Sequence, residues 1–181
     1  MVRDPIFMRT FIAVELEDEI KRNITSFSEE ISDPACKKVK PENFHITLKF
    51  LGDVDKQRIE KLKEELKAVE HEPFEMEVKG TGVFPNIYYI KVLWVGAEGK
   101  FDPMVSQINT VTHDIKKRDN EFHPHITVAR VKSKPRENLK EVINENKNKG
   151  FGSQRVEKFV LMKSELEPEG PVYENVKFFE I

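Results

Sequence analysis

Apolar positions along this chain follow two rhythms, one of period two and one near 3.6, and their order is written twice. Residues 8–16 form an apolar, β-prone run that predicts a strand. The stretch 17–31 then carries Ile20, Ile24, Phe27 and Ile31 at helical spacing. Residues 44–51 predict a second strand, ended by Gly52-Asp53. Asp55 is placed to cap a helix that shows Ile59, Leu62, Leu66 and Val69 on one face. Residues 74–78 alternate as a third strand, and Gly-Thr-Gly-Val-Phe-Pro at 80–85 reads as a turn-rich junction.

The order then restarts. Residues 87–95 predict a strand with Tyr88, Ile90, Val92 and Trp94 on one side. Asp102-Pro103 fits an N-cap and first helical position, and Phe101, Val105, Ile108, Val111 and Ile115 make the accompanying stripe. A strand at 122–131, a helix around Leu139, Val142 and Ile143, and closing strands at 156–166 and 172–179 complete the chain. A turn at 167–171 joins the last two strands, and the first seven residues read as a ragged extension. Each half is thus strand, helix, strand, helix, strand. The expected architecture is α+β: two pseudo-symmetric lobes, each an antiparallel sheet with two helices on its outer face, and a cleft between the sheets. The 181 residues are expected to form one bilobal domain, with pseudo-repeats at about 8–80 and 86–181.

Charge and composition narrow the classes available. Lys+Arg 30 against Asp+Glu 32 leaves a net charge of −2, so any anionic ligand must be held by a local basic pocket. The lone Cys36 excludes an internal disulfide and a cysteine-clustered metal site. No apolar run approaches membrane-spanning length, and residues 7–14 carry Arg9 in their middle, so a cytoplasmic protein with no membrane contact is expected.

The candidate chemistry lies in the two middle strands. Phe44-His45-Ile46-Thr47-Leu48 returns 80 residues later as Pro124-His125-Ile126-Thr127-Val128. With 5 His and 7 Thr, a single His-x-Thr arises by chance only ~0.2 times, so two in matching context weigh heavily. Residues two apart in a strand share a face, so each pair projects an imidazole and a hydroxyl together. One neutral imidazole can take a proton from water while the other, protonated, gives one to a leaving oxygen. Thr47 and Thr127 can donate to phosphate oxygens as charge develops there. This chemistry needs no metal or other cofactor. His123-Pro-His125 suggests a zinc pair, but no third ligand stands at suitable spacing, so His123 reads as an edge of the cleft. Lys49 shares a face with His45 under strict alternation, as a cleft cation or a solvated one, and Tyr173 reads as core or cleft edge.

These residues resemble the two-histidine phosphoesterase superfamily, specifically the RNA 2′,3′-cyclic phosphodiesterase family, historically named 2′-5′ RNA ligase. Arg9-Thr-Phe-Ile-Ala-Val14, the two signatures at 43–52 and 122–130, Gly82-Val-Phe-Pro85, Val92-Leu-Trp-Val-Gly96 and the closing segment at 164–173 all match its pattern. The resemblance implies a hydrolase of RNA processing that opens a terminal 2′,3′-cyclic phosphate to a 2′-phosphomonoester. His45 would be the general acid and His125 the general base. Run backwards, the reaction would make a 2′-5′ linkage. The implied partners are RNA ends or nucleotides bearing the cyclic phosphate, tRNA fragments among them, handled by a monomer. Action on another 2′-5′ or cyclic nucleotide, or RNA-end binding without catalysis, are the alternatives.

The resemblance also marks the positions five residues past each histidine, Phe50 toward nucleobase or ribose and Arg130 toward phosphate. Strict alternation sends both to the face opposite their histidines. For them to serve, each strand must bend or carry a bulge. The other reading of Phe50 is core packing.

Overall fold

In the computed structural model, which describes residues 6–117, 121–168 and 170–181, the strand rhythm becomes two antiparallel sheets. Strand β1 (Phe7–Glu15) leads into helix α1 (Asp18–Glu30), the short strand β2 (Cys36–Lys38) and strand β3 (His45–Asp55). Helix α2 (Lys56–Glu65), strands β4 (Phe74–Asn86) and β5 (Tyr89–Glu98), and helix α3 (Phe101–Val111) follow. Strand β6 (His125–Val131), helix α4 (Asn138–Glu145) and strands β7 (Gly150–Val156), β8 (Lys158–Glu167) and β9 (Gly170–Glu180) complete the order. One sheet runs β3-β1-β8-β9 and the other β2-β6-β5-β4-β7, with every pair antiparallel.

The helices form where their stripes can be buried. Ile20, Ile24 and Phe27 of α1 are essentially inaccessible, and each contributes roughly 1.5–3 kcal/mol by leaving water. The Asp55 side chain accepts from the Gln57 amide at 2.8 Å and fixes the start of α2, as its position in the sequence predicts. Helices α2 and α3 lie against β3, α1 against β6 and β7, and α4 against β4. Each sheet thus carries two helices. Among the described residues no helix is long and apolar enough to cross a membrane.

Neither sheet is built from one half of the chain. β4, from the first half, pairs with β5 and β7, while β8 and β9, from the second, join β1. The two halves therefore exchange strands.

Several local expectations are corrected. The stretch at 80–85 continues β4: Gly80 takes a left-handed φ of 73° and the register shifts between Val78 and Thr81, so a bulge stands where a turn was read. Strands β2 and β7 were not expected, being too short or too polar to show a clear period. Helix α3 starts at Phe101, with Lys100 rather than Asp102 in the cap position. Tyr88, Ile90, Val92 and Trp94 do not share a face, because β5 skips a residue at Lys91 in its pairing with β4. β1 already begins at Phe7, opposite Asp55. The turn expected at 167–171 includes Glu169, which lies outside the described residues.

Candidate active site

His45 opens β3 and His125 opens β6, and both rings line one cavity of about 530 Å³ between the sheets. Thr47, Thr127, Phe50 and Arg130 line it as well, so the six residues singled out in the sequence converge on one space.

The parity difficulty is resolved by a bulge in each strand. Opposite β1, the register passes from Ile12↔Lys49 to Ala13↔Thr47, leaving Leu48 without a partner of its own. Opposite β5, it passes from Leu93↔Ala129 to Trp94↔Thr127, leaving Val128 in the same situation. Leu48 and Val128 are equivalent positions in the two signatures. The extra residue resets alternation, which returns Phe50 and Arg130 to the faces of His45 and His125. Phe50 is half-buried at the cavity wall, with the Arg9 guanidinium 4.9 Å from its ring centre.

The same bulge removes Lys49 from the cleft. It is only 2% exposed, and its Nζ donates to the Lys117 carbonyl at 2.7 Å, beyond the end of α3. Lys49 anchors the segment that follows α3 instead of lining the cavity.

Both histidines are held by the same device. The Nδ1–H of His45 donates to the Asn43 carbonyl at 2.8 Å, and that of His125 to the His123 carbonyl at 2.7 Å. Because a carbonyl can only accept, each Nδ1 carries the proton and each Nε2 is the reactive nitrogen. In the neutral ring, His45 Nε2 accepts from the Thr47 hydroxyl at 3.0 Å. Phe11 and Tyr173 pack on His45 with centroids at 4.9 and 5.1 Å. Phe84 stands edge-on to His125 at 4.9 Å, and Trp94 meets His123 at 4.9 Å. His123 thus acts through its carbonyl and its packing. His71 and His113 lie just beyond helices, away from the cavity.

Burial dominates the titration of both rings. It pushes His45 down to about 4, opposed by the Asn43 carbonyl and reinforced by the charges of His125 and Arg130. His125 is lowered in the same way, again by burial first, with the His123 carbonyl opposing. Tyr173 is raised by burial, against the pull of Arg130 and Arg9.

Charge around the cavity is one-sided. Among the described residues, Arg9, Lys37, Lys38, Lys40, Arg130 and Lys132 line it, against Glu167 as the carboxylate. This concentration coexists with a net charge of −2 for the chain. Such a low-dielectric pocket of one sign raises the local concentration of anions. Only Arg130 of the six emerged from the sequence reading, although the run Lys37-Lys38-Val39-Lys40 ahead of the first signature was a usable signal. Among the described residues, no group of three or more His, Cys, Asp or Glu stands close enough to hold a metal ion.

Comparison with known proteins places this geometry. An RNA 2′,3′-cyclic phosphodiesterase of Archaeoglobus fulgidus is 35% identical over 96% of this chain and 100% of its own. A protein of the same name from Methanocaldococcus jannaschii is 37% identical over 94% of this chain and 99% of its own. Among solved structures, a Thermus thermophilus protein superposes with a TM-score of 0.83 at 29% identity, covering 96% of this chain and 97% of that one. E. coli LigT complexed with 3′-AMP shares the fold, with a TM-score of 0.78 at 22% identity and coverage of 97% and 98%. The pattern of LigT-like phosphoesterases matches residues 14–94 and 99–173, which take in both histidine signatures and the bulges within them. With its duplicated His-x-Thr strands facing one basic cavity, the chain belongs to the LigT-like phosphoesterase family.

Proposed function

We propose that the protein hydrolyses the terminal 2′,3′-cyclic phosphate of RNA to a 2′-phosphomonoester, using His45 and His125 as an acid–base pair. The observation that carries this reading is the convergence of two imidazoles, each fixed through Nδ1 by a backbone carbonyl, on one cationic cavity. The relatives named for this activity, aligned over nearly the whole chain, support the substrate class.

In the reaction, His125 Nε2 takes a proton from water as its oxygen attacks phosphorus. The bond from phosphorus to the 3′ oxygen breaks, and that oxygen receives the proton of His45 Nε2. Thr47, Thr127 and Arg130 hold the non-bridging oxygens as negative charge grows on them. Phe50 supplies an apolar surface for the ribose or base. Each proton transfer is typically worth ~10²–10⁴ in rate.

Acid catalysis requires a charged His45, yet burial keeps this ring neutral at pH 7 in the free protein. The phosphodiester supplies what is missing. Its negative charge beside the ring offsets Arg130 and favours the imidazolium, so His45 takes up a proton from solvent as the substrate binds. The same steps reversed, with a 5′-hydroxyl end in place of water, would form a 2′-5′ linkage.

Separate variants test the pair and its division of labour. His45→Ala and His125→Ala should each lower kcat on 2′,3′-cyclic AMP by ~10²–10⁴ with the fold intact by circular dichroism. A phosphodiester with an activated phenolate leaving group needs no acid, so it should restore turnover to His45→Ala and not to His125→Ala. Rescue of His125→Ala alone would reverse the assignment, and full activity in either variant would remove the mechanism.

A further inference from the structure

Beyond the cavity, the face of the five-stranded sheet that carries His125 remains open and becomes both aromatic and basic. Arg130 pairs with Val92 of β5, and Val92 with Phe84 of β4, so these side chains share that face. Lys132 follows Arg130 on the same parity, exposed. On β5 the register moves from Phe84↔Val92 directly to Pro85↔Ile90, leaving Lys91 as an extra residue. This bulge sends Ile90 into the core, where it is 5% exposed, and returns Tyr89 to the open face. Tyr89 is 59% exposed, and the Lys91 ammonium sits 4.6 Å from its ring centre.

An exposed ring with a cation beside it is well suited to a nucleobase and its adjoining phosphate. Asn86 holds the ring's backbone in place, since its Oδ1 accepts from the amides of Tyr88 and Tyr89 at 3.0 Å each. Three residues of strand separate Tyr89 from Val92, roughly 10 Å at ~3.3 Å per residue. That distance carries the face from the Arg130 position to the nucleotides just upstream of a bound 3′ end.

Resting on the phosphodiesterase reading, we propose that the RNA strand upstream of the cyclic phosphate runs along this open sheet face, past Arg130 and Lys132. One upstream base stacks on Tyr89, and Lys91 meets the adjoining backbone. Recognition is of single-stranded RNA without regard to sequence, because stacking accepts any base and the cations read only phosphate.

The test compares 2′,3′-cyclic AMP with a short oligoribonucleotide that ends in the same cyclic nucleotide. For Tyr89→Ala, KM on the oligonucleotide should rise ~10-fold, the scale of one lost base stack, and kcat should hold. The ratio of kcat/KM between oligonucleotide and mononucleotide falls accordingly, and Tyr89→Phe restores it. Lys91→Ala should lower the same ratio and flatten the dependence of oligonucleotide KM on salt. A ratio equal to wild type in Tyr89→Ala overturns the track while leaving the phosphodiesterase reading intact. Wild-type protein inert on both substrates overturns that reading, and the track with it.

Discussion

Trp94 occupies the space that a side chain on Gly82 would need: a Cβ there would lie 2.2 Å from the indole Cζ2. The two residues sit opposite each other on β5 and β4, and the indole in turn packs on His123. The carbonyl of His123 fixes the ring of His125.

Gly82→Ala should therefore displace Trp94 and disturb His125 without touching substrate. Overpacking of this kind typically costs about 1–3 kcal/mol. The expected result is a lower kcat on 2′,3′-cyclic AMP, together with a lower midpoint of thermal unfolding. Wild-type kinetics in this variant would show that the indole does not position His125.

A second expectation concerns pH. In the folded protein His45 titrates near 4, below the value of about 6.5 for the unfolded chain. Between those values the unfolded chain binds the proton that the native ring refuses. Stability from this group is thus complete above pH ~6.5 and is lost as pH falls toward 4, about 3 kcal/mol in all. Denaturant unfolding of wild type and His45→Gln across this window should show the difference between them shrinking with acid. NMR titration should also show His45 rising when inorganic phosphate is bound; an unmoved titration would remove binding-coupled protonation of His45 from the mechanism.

Lys49→Met addresses a residue that strict alternation places in the cleft and the bulge removes from it. Its ammonium donates to the Lys117 carbonyl from a site only 2% exposed. Losing a charged hydrogen bond there should cost about 2 kcal/mol of stability. Turnover per folded molecule should hold. A selective loss of turnover, with stability preserved, would return Lys49 to the chemistry.

Asn43 serves two groups with separate atoms. Its carbonyl holds His45, and its Nδ2 donates to the Pro171 carbonyl at 2.8 Å, tying the start of β9 to the site. Asn43→Ala keeps the first bond and breaks the second. The segment bearing Tyr173 loosens, so KM should rise several-fold with a smaller change in kcat, at about 1 kcal/mol for the lost bond. An equal fall in kcat would mean that the His45 ring itself had moved.

What was legible in the sequence and what was not divides along a physical line. The histidines and threonines could be read because a strand's period of two fixes which neighbours share a face, and both signatures repeat the same letters. The bulges at Leu48 and Val128 left no mark, since an extra aliphatic residue in an aliphatic strand changes nothing in composition. Phe50, Arg130 and Lys49 were ambiguous for that single reason. The basic wall escaped because β2 is three residues long and its lysines meet Arg130 only through pairing with β6. The strand exchange escaped because periodicity announces a strand but not its neighbour.

That exchange has a consequence for how the molecule works. A polypeptide cut near the Asn86–Tyr89 hairpin would yield two fragments, each holding strands that belong in the other's sheet. Neither fragment could complete a sheet by itself, so they should regain structure only on mixing. By the same token each wall of the groove is built from both halves of the chain, so neither wall is complete until both halves have folded.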